Sequence, residues 1–382
     1  EVDDLTLQIK QVDGWRGTAR FIDVSWKVHA REGSAWVPPL RSVVRGVLDR
    51  GKNPFYQSAE RGLFIAERAG HPVGRVAAIR NGWHNEYHGD RVGFFGFFEC
   101  RDDQEAAGAL MERAGQWLRE RGLETARGPV NPSMNHECGL LVDGFDREAV
   151  IMTPWTPPYY ERLLESSGYM GVKDLLGYRL IQGSEFGFPD RMKKVVERKL
   201  ARTKLVFREW DFSRFEQEVR TFHKLYCDAW VDNWGFVPPS WQEFWHLAKD
   251  LRSVLHPRFA CIAEVDGEAV GFVVVARDIN RVLRRIPSGR LWPWNMARLF
   301  LTLPRVLSGR IIMLGLRRDY RNRGFFSLLM HEVARRAVEI GAEEAEASWI
   351  LEENEALVSP LRSLGLAPHK RWRIYEKPLR ER

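Results

Sequence analysis

Four consecutive residues, Arg321-Asn322-Arg323-Gly324, carry the most specific chemistry in the sequence. They follow an apolar run, Ile311-Ile312-Met313-Leu314-Gly315-Leu316, and precede an amphipathic stretch from Phe325 to Ile340. The pattern predicts a strand, a basic turn and a helix. The first turn of a helix leaves backbone N–H groups without partners, and the helix dipole adds partial positive charge there. A glycine-containing, arginine-rich turn at that point suits phosphate. Arg317, Arg318, Arg321 and Arg323 offer guanidinium forks that match phosphate oxygens, with a solvated basic face as the alternative.

Groups able to move a proton are scattered. His136 and Glu137 lie in the loop Gly128-Pro129-Val130-Asn131-Pro132-Ser133-Met134-Asn135-His136-Glu137-Cys138-Gly139, which is rich in turn formers and polar groups. Glu99 ends an aromatic strand that contains Phe94, Phe95, Phe97 and Phe98, and Glu352 and Glu353 follow Ser348-Trp349-Ile350. Asp228, His84 and His88 complete the set. Glu137 is the preferred base, because carboxylates in Gly/Pro-rich loops are rarely there for packing. Asn131 and Asn135 suit a polar ligand or local turn stabilisation.

These residues need a large scaffold, and 382 residues suffice for two domains with cores of their own. The net charge of +7 is unevenly placed: Ile279 to Arg318 holds nine arginines and no acid, so the remainder nets about −2. Such a block points to an anionic partner: cofactor phosphates, a lipid surface or nucleic acid. No recognised nucleic-acid module accompanies it, so nucleic acid is the least favoured. Cys100, Cys138, Cys227 and Cys261 are far apart, without metal-binding or redox spacing, so no metal site and a reducing cytosol are expected. No run of 18 apolar residues or signal peptide is visible, and the numbering opens at Glu1, leaving room for a short leader.

An internal repeat organises the chain. Ile65-Ala66-Glu67, Gly70, Val73-Gly74, Val76 and Arg80 recur at identical spacing as Ile262-Ala263-Glu264, Gly267, Val270-Gly271, Val273 and Arg277. Each copy reads as a hairpin. Gly168 and Tyr178 echo Gly365 and Tyr375, and Gly122-Leu123-Glu124 echoes Gly341-Ala342-Glu343 once an insertion is allowed in the second half. Two copies of one α/β fold (an α+β mixed sheet) are expected. The first occupies residues 1–185, a linker helix 186–206, and the second 207–382 with an insertion at 281–310.

From about Phe207 to Lys377 the chain resembles the GCN5-related N-acetyltransferase (GNAT) superfamily, whose cofactor motif is Arg/Gln-x-x-Gly-x-Gly/Ala after a central strand. Here Arg321-Asn322-Arg323-Gly324-Phe325-Phe326 stands in that place, and Asn354 with Arg362-Ser363-Leu364-Gly365 matches a later element. The resemblance implies acyl-CoA as co-substrate, bound by Leu314, Leu316, Arg321, Asn322, Arg323, Gly324, Phe325, Phe326 and Asn354. It also implies direct attack of an amine on the thioester. Two positions depart from the pattern. Phe326 replaces a small residue, and Leu361 stands where the family often has the tyrosine that protonates the leaving thiolate. By the repeat the first half is also GNAT-like, but its turn, Arg101-Asp102-Asp103-Gln104-Glu105, is acidic and is not expected to bind CoA.

Over its full length the chain is similar to a group of bacterial tandem-GNAT proteins, through Asn53-Pro54-Phe55, Gly74-Arg75, Gly93 to Glu99, the Gly128 to Gly139 loop and Tyr375-Glu376-Lys377. That group includes acyl-CoA-dependent ceramide synthases. The likeness implies an N-acyltransferase whose amine acceptor is a sphingoid-type lipid. An N-acetyltransferase of small polar amines or peptides and a non-catalytic acyl-CoA-binding protein are the alternatives. Leu291 to Pro304, apolar and aromatic with arginines around it, suits a helix on the inner face of the cytoplasmic membrane; a lid packed on the protein itself is the alternative.

Overall fold

The computed structural model describes residues 6–29, 35–181, 190–321 and 323–379; Asn322 lies outside them. The fold is mixed α/β. The chain forms two compact units: unit 1 is Glu1–Leu175, Leu283–Asn295 and Lys370–Arg382, and unit 2 is Leu176–Val282 and Met296–His369. The units are interleaved along the sequence, whereas the repeat had suggested contiguous halves divided at 185 and 207.

In unit 1, β1 (Leu7–Val12), α1 (Gly14–His29), β2 (Ala59–Arg68), β3 (His71–Asn81), β4 (Val92–Cys100), α2 (Gln104–Arg119) and β5 (Thr125–Gly128) follow one another. Strands β1 to β4 are antiparallel neighbours, β5 joins β4 in parallel, and the C-terminal strand Lys370–Pro378 pairs antiparallel with β5, placing Tyr375 opposite Gly128. The phenylalanines of β4 come in two adjacent pairs, Phe94-Phe95 and Phe97-Phe98, because both faces of the strand are covered. Phe95 and Phe98 enter the core beneath α2, and Phe97 meets Phe21 of α1 at 6.3 Å. Val130–Asn131 (β6) and Glu137–Cys138 (β7) make a small separate hairpin.

Unit 2 contains α3 (Asp190–Arg202), β8 (Leu205–Glu209), α4 (Phe215–Trp230), β9 (Leu255–Val265), β10 (Glu268–Arg277), α5 (Pro293–Thr302, which begins in unit 1), β11 (Ser308–Leu316), α6 (Phe325–Glu339), β12 (Glu344–Leu351) and α7 (Glu355–Ser363). Strands β8 to β11 are antiparallel neighbours and β12 is parallel to β11. Leu329 and Val333 of α6 pack on Val273, Ile311 and Ala347 of the sheet, while Phe222 of α4 meets Phe272 on the other face at 4.6 Å.

The repeat is real in three dimensions. The turns Ala69-Gly70 and Asp266-Gly267 both have positive φ at both residues (49° and 72°, 53° and 81°), the two-residue turn whose twist matches the strands it joins. Each hairpin then shifts register at the same place, between Ala66 and Glu67 and between Ala263 and Glu264.

Candidate active site

At the head of α6, Gly324 has φ +74°, a left-handed conformation that glycine adopts without strain. Among the described residues no side chain caps this helix, and its first turn holds no acid, so its leading N–H groups can receive an anionic ligand. Lys199 of α3 donates to the Arg323 carbonyl, and a Cβ on residue 324 would overlap its Nζ. A helix expected only as a linker thus fixes a cation at the turn. Phe325 and Phe326 pack their rings against the unit 2 core, so Phe326 need not obstruct the turn.

The four arginines divide. Arg321 braces the turn to α4, donating to Asp232 at 3.1 Å, to the Ala229 carbonyl and, at 3.4 Å, to the Leu316 carbonyl. Arg318 also pairs with Asp232, and its backbone N–H donates to Asp228 at 3.3 Å. Asp228 is therefore a turn anchor. Arg317 forks onto Asp319 at 2.8 and 2.7 Å and holds that carboxyl below the usual range. Arg323 is exposed, near the Tyr320 ring, and has no ion pair among the described residues. Its guanidinium can therefore meet a phosphate.

Behind the turn the sheet opens. β11 and β12 pair from Ser308↔Glu344 to Ile311↔Ala347 and then separate. On its other edge β11 stays paired with β10 as far as Leu316, with Ile312 as an extra, bulged residue. The β12-side backbone of residues 312–316, including Leu314 and Leu316, is consequently an open edge inside the sheet. An extended ligand with amide groups can add there as a further strand. The open edge from Leu316 back to the bulge at Ile312 offers roughly 16 Å of strand to such a ligand. Asn354, at the N-terminus of α7, has no capping bond from its side chain. Leu361, in the place of the family's tyrosine, is buried in the unit 2 core.

At the closed end of this cleft lies a buried polar cluster that sequence reasoning missed. Arg310 of β11, 2 % exposed, donates to the Ser348 carbonyl at 2.9 Å and to its Oγ at 3.0 Å. Ser348 Oγ donates to Glu346 at 2.8 Å, and His369 Nε2 lies 3.0 Å from the other Glu346 oxygen. Ile311 and Ala347 face α6, so strand alternation puts Arg310, Glu346 and Ser348 on the opposite face. The signal was present in the sequence: isolated charges within the apolar strands around Ile311 and Ile350.

Unit 1 has the same opening and fills it. β4 and β5 separate after Phe94↔Arg127, but β6 lies against β4: Asn131 Oδ1 accepts from the Phe97 N–H at 2.6 Å, and a Cβ on Gly96 would overlap the Val130 carbonyl. The helix end is filled too. Asp103 caps α2 by accepting from Ala106 N–H, and Arg68 donates to Asp103 at 2.8 Å, which holds its carboxyl below the usual range. His136 and Glu137 belong to this plug: Glu137 is opposite Asn131 in the hairpin, and the His136 ring is 2.8 Å from Ser133 Oγ. Asn135 donates its backbone N–H to Ser133. Glu99 is tied to His29, Arg75 and Ser25, and burial pushes the His84 imidazole down to about 4. Glu352 and Glu353 lie exposed in the turn after β12.

The arginine block is partly spent on internal pairs, with Arg281 on Glu344 and Arg284 on Glu148. Arg290 and Arg305 are exposed and have no ion pair among the described residues. Between them, Trp292, Trp294, Phe300 and Leu301 are 48, 65, 70 and 68 % exposed, which does not fit a lid packed through these side chains. No helix among the described residues is long and apolar enough to cross a membrane.

The profile of the acetyltransferase (GNAT) family matches residues 219–365. The chain is 34 % identical over 367 residues to a bacterial ceramide synthase of Caulobacter vibrioides (strain NA1000 / CB15N), covering 94 % of each protein. It is 31 % identical to the protein YghO of Escherichia coli (strain K12), covering 90 % of this chain and 88 % of that one. Among solved structures it is similar to a tandem GNAT protein from the clavulanic acid biosynthesis pathway, with TM-score 0.57, 14 % identity and coverage of 99 and 100 %. A GCN5-related N-acetyltransferase from Sphaerobacter thermophilus gives TM-score 0.55 at 13 % identity, with coverage of 98 and 96 %.

Proposed function

The chain belongs to the GCN5-related N-acetyltransferase (GNAT) family and is an N-acyltransferase with acyl-CoA as co-substrate, and on that premise we propose that it transfers a long-chain acyl group to the amine of a sphingoid-type lipid base. In this reading the pyrophosphate of CoA rests on the free N–H groups of Gly324, Phe325 and Phe326, with Arg323 and Lys199 as counter-cations. Arg321 holds the turn in shape. The pantetheine amides add to the open edge at Leu314 and Leu316, Asn354 flanks the cleft, and the thioester reaches the bulge at Ile312. There an N–H freed from the ladder can stabilise the oxyanion that forms as the amine attacks. For the amine's proton, Glu137 and His136 are the candidates of unit 1, while unit 2 carries Glu346 and His369.

The observation that carries the lipid reading is the solvent-facing aromatic surface of residues 291–301 with Arg290 and Arg305 at its ends. Exposed tryptophan between arginines suits the headgroup layer of an anionic membrane. The printed name of the Caulobacter relative supports the same acceptor class. The protein then works at the cytoplasmic membrane face on substrates that partition there. Thiol release with acyl-CoAs from acetyl to palmitoyl, offered sphinganine or small polar amines, tests this. Palmitoyl-CoA with sphinganine is expected to be preferred; turnover of acetyl-CoA on polar amines with none of palmitoyl-CoA refutes it.

A further inference from the structure

We propose that His369, oriented by Glu346, takes the proton from the acceptor amine and returns it to the departing thiolate. The inference rests on the acyltransfer reading and adds the group that handles its proton.

Three observations converge on this imidazole. Its position comes first. Arg310 and Glu346 are register partners one step before the last β11–β12 pair, and Ser348 is one step beyond it. The cluster therefore closes the end of the cleft that a ligand anchored at the phosphate turn reaches with its reactive end. Its orientation comes second. His369 Nε2 is 3.0 Å from a Glu346 carboxylate oxygen, and that carboxylate is in turn held by Ser348 Oγ at 2.8 Å, which Arg310 fixes. A carboxylate on Nε2 places the N–H there and leaves the Nδ1 lone pair for a proton. Third, His369 Nδ1 is buried and has no hydrogen-bond partner among the described residues. No group among the described residues competes for this nitrogen, so it is available as a proton acceptor. His136, by contrast, has its Nδ1 against Ser133 Oγ.

The step balances without another reagent. The neutral amine nitrogen attacks the thioester carbonyl carbon, forming the C–N bond and an oxyanion. His369 Nδ1 takes one proton from the resulting ammonium. The oxyanion collapses, the C–S bond breaks with its electron pair on sulfur, and the imidazolium gives that proton to the thiolate. Amide and thiol leave with the imidazole neutral again. One group serving both ends of the transfer explains how the chemistry proceeds with Leu361 where a tyrosine would otherwise donate.

The test uses the full chain. Wild-type thiol release with palmitoyl-CoA and sphinganine is established first, which settles the parent reading separately. His369→Gln is then expected to lower kcat by about 100-fold or more, with melting temperature and CoA affinity unchanged, and Glu346→Gln to lower it less. His369→Gly is expected to regain activity with added imidazole but not with thiophene, a ring of similar size without a basic nitrogen. His369→Gln within threefold of wild type overturns the proposal, as does equal recovery with thiophene, or a loss on Glu137→Gln with none on His369→Gln.

Discussion

Replacing Arg321 and Arg323 separately by alanine should damage the enzyme in two different ways. Arg321 is one-third exposed and pairs with an Asp232 carboxylate that is 60 % exposed, so the ion pair itself contributes at most about 1 kcal/mol. Its two bonds to the carbonyls of Ala229 and Leu316 add a comparable amount. R321A is therefore expected to destabilise unit 2 by about 1–2 kcal/mol. For a unit of that size this lowers the melting temperature by about 2–8 °C, with CoA affinity falling by no more than a few-fold. Arg323 has no comparable brace, and its removal should leave the melting temperature unchanged. A charge-assisted bond to phosphate that is worth about 1.4 kcal/mol makes the loss in CoA affinity about tenfold, and the loss should shrink as salt is raised. Scanning calorimetry and titration calorimetry with CoA, run on both variants, measure the two quantities. The opposite pattern, tenfold weaker binding in R321A at wild-type stability and wild-type binding in R323A, refutes this division of the arginines.

Co-sedimentation with vesicles containing anionic lipid should fall at least several-fold in the Trp292→Ser, Trp294→Ser, Phe300→Ser triple variant, with the melting temperature unchanged because these side chains are solvent-facing; undiminished binding removes the membrane contact. Glu99 makes unit 1 acid-sensitive. Burial opposes its charge, but the charges of His29 and Arg75 and the hydrogen bonds from His29 and Ser25 outweigh that and hold its carboxyl at about 2. A carboxyl lowered on folding stabilises above the unfolded value, near 4.3, and that contribution is lost as pH falls from about 5 toward 2. Near-ultraviolet circular dichroism melts should show this slope in the wild type and a flatter, lower curve in Glu99→Gln; parallel curves contradict it.

The elements were legible in the sequence wherever a local rule decides them. Gly324, Gly70 and Gly267 announce backbone geometry, and the repeated hairpin fixes its own register. Partners distant in sequence were not legible. Arg321 and Arg323 look alike in a string, and only the fold sets Asp232 beside the first. The Gly128 to Gly139 loop is rich in polar groups, and its Asn131 bonds a strand edge in unit 1. Strand alternation tells which face a side chain takes and not which strand lies alongside. That is why Tyr375, read as part of the second half, turned out to be a core residue of unit 1. The cluster at Glu346 is hidden in the sequence because Arg310 ends a run of exposed and paired arginines, and only the fold buries it beside Ser348.

The placement of Lys370–Pro378 bears on how the protein is made. Unit 1 emerges from the ribosome ahead of unit 2 yet is completed after it, because β5 has no antiparallel neighbour on that side until the strand Lys370–Pro378 emerges. Roughly 200 residues separate the two parts, which at ordinary rates of synthesis means a wait of about 10–40 s. Throughout it, the core around Leu140, Tyr160 and Tyr169 lacks the Tyr375 and Leu379 side chains that close it. An unpaired apolar edge of this kind is where a nascent chain pairs wrongly or recruits a chaperone. Damage to the strand Lys370–Pro378 thus unfolds a unit whose other strands are translated before those of unit 2.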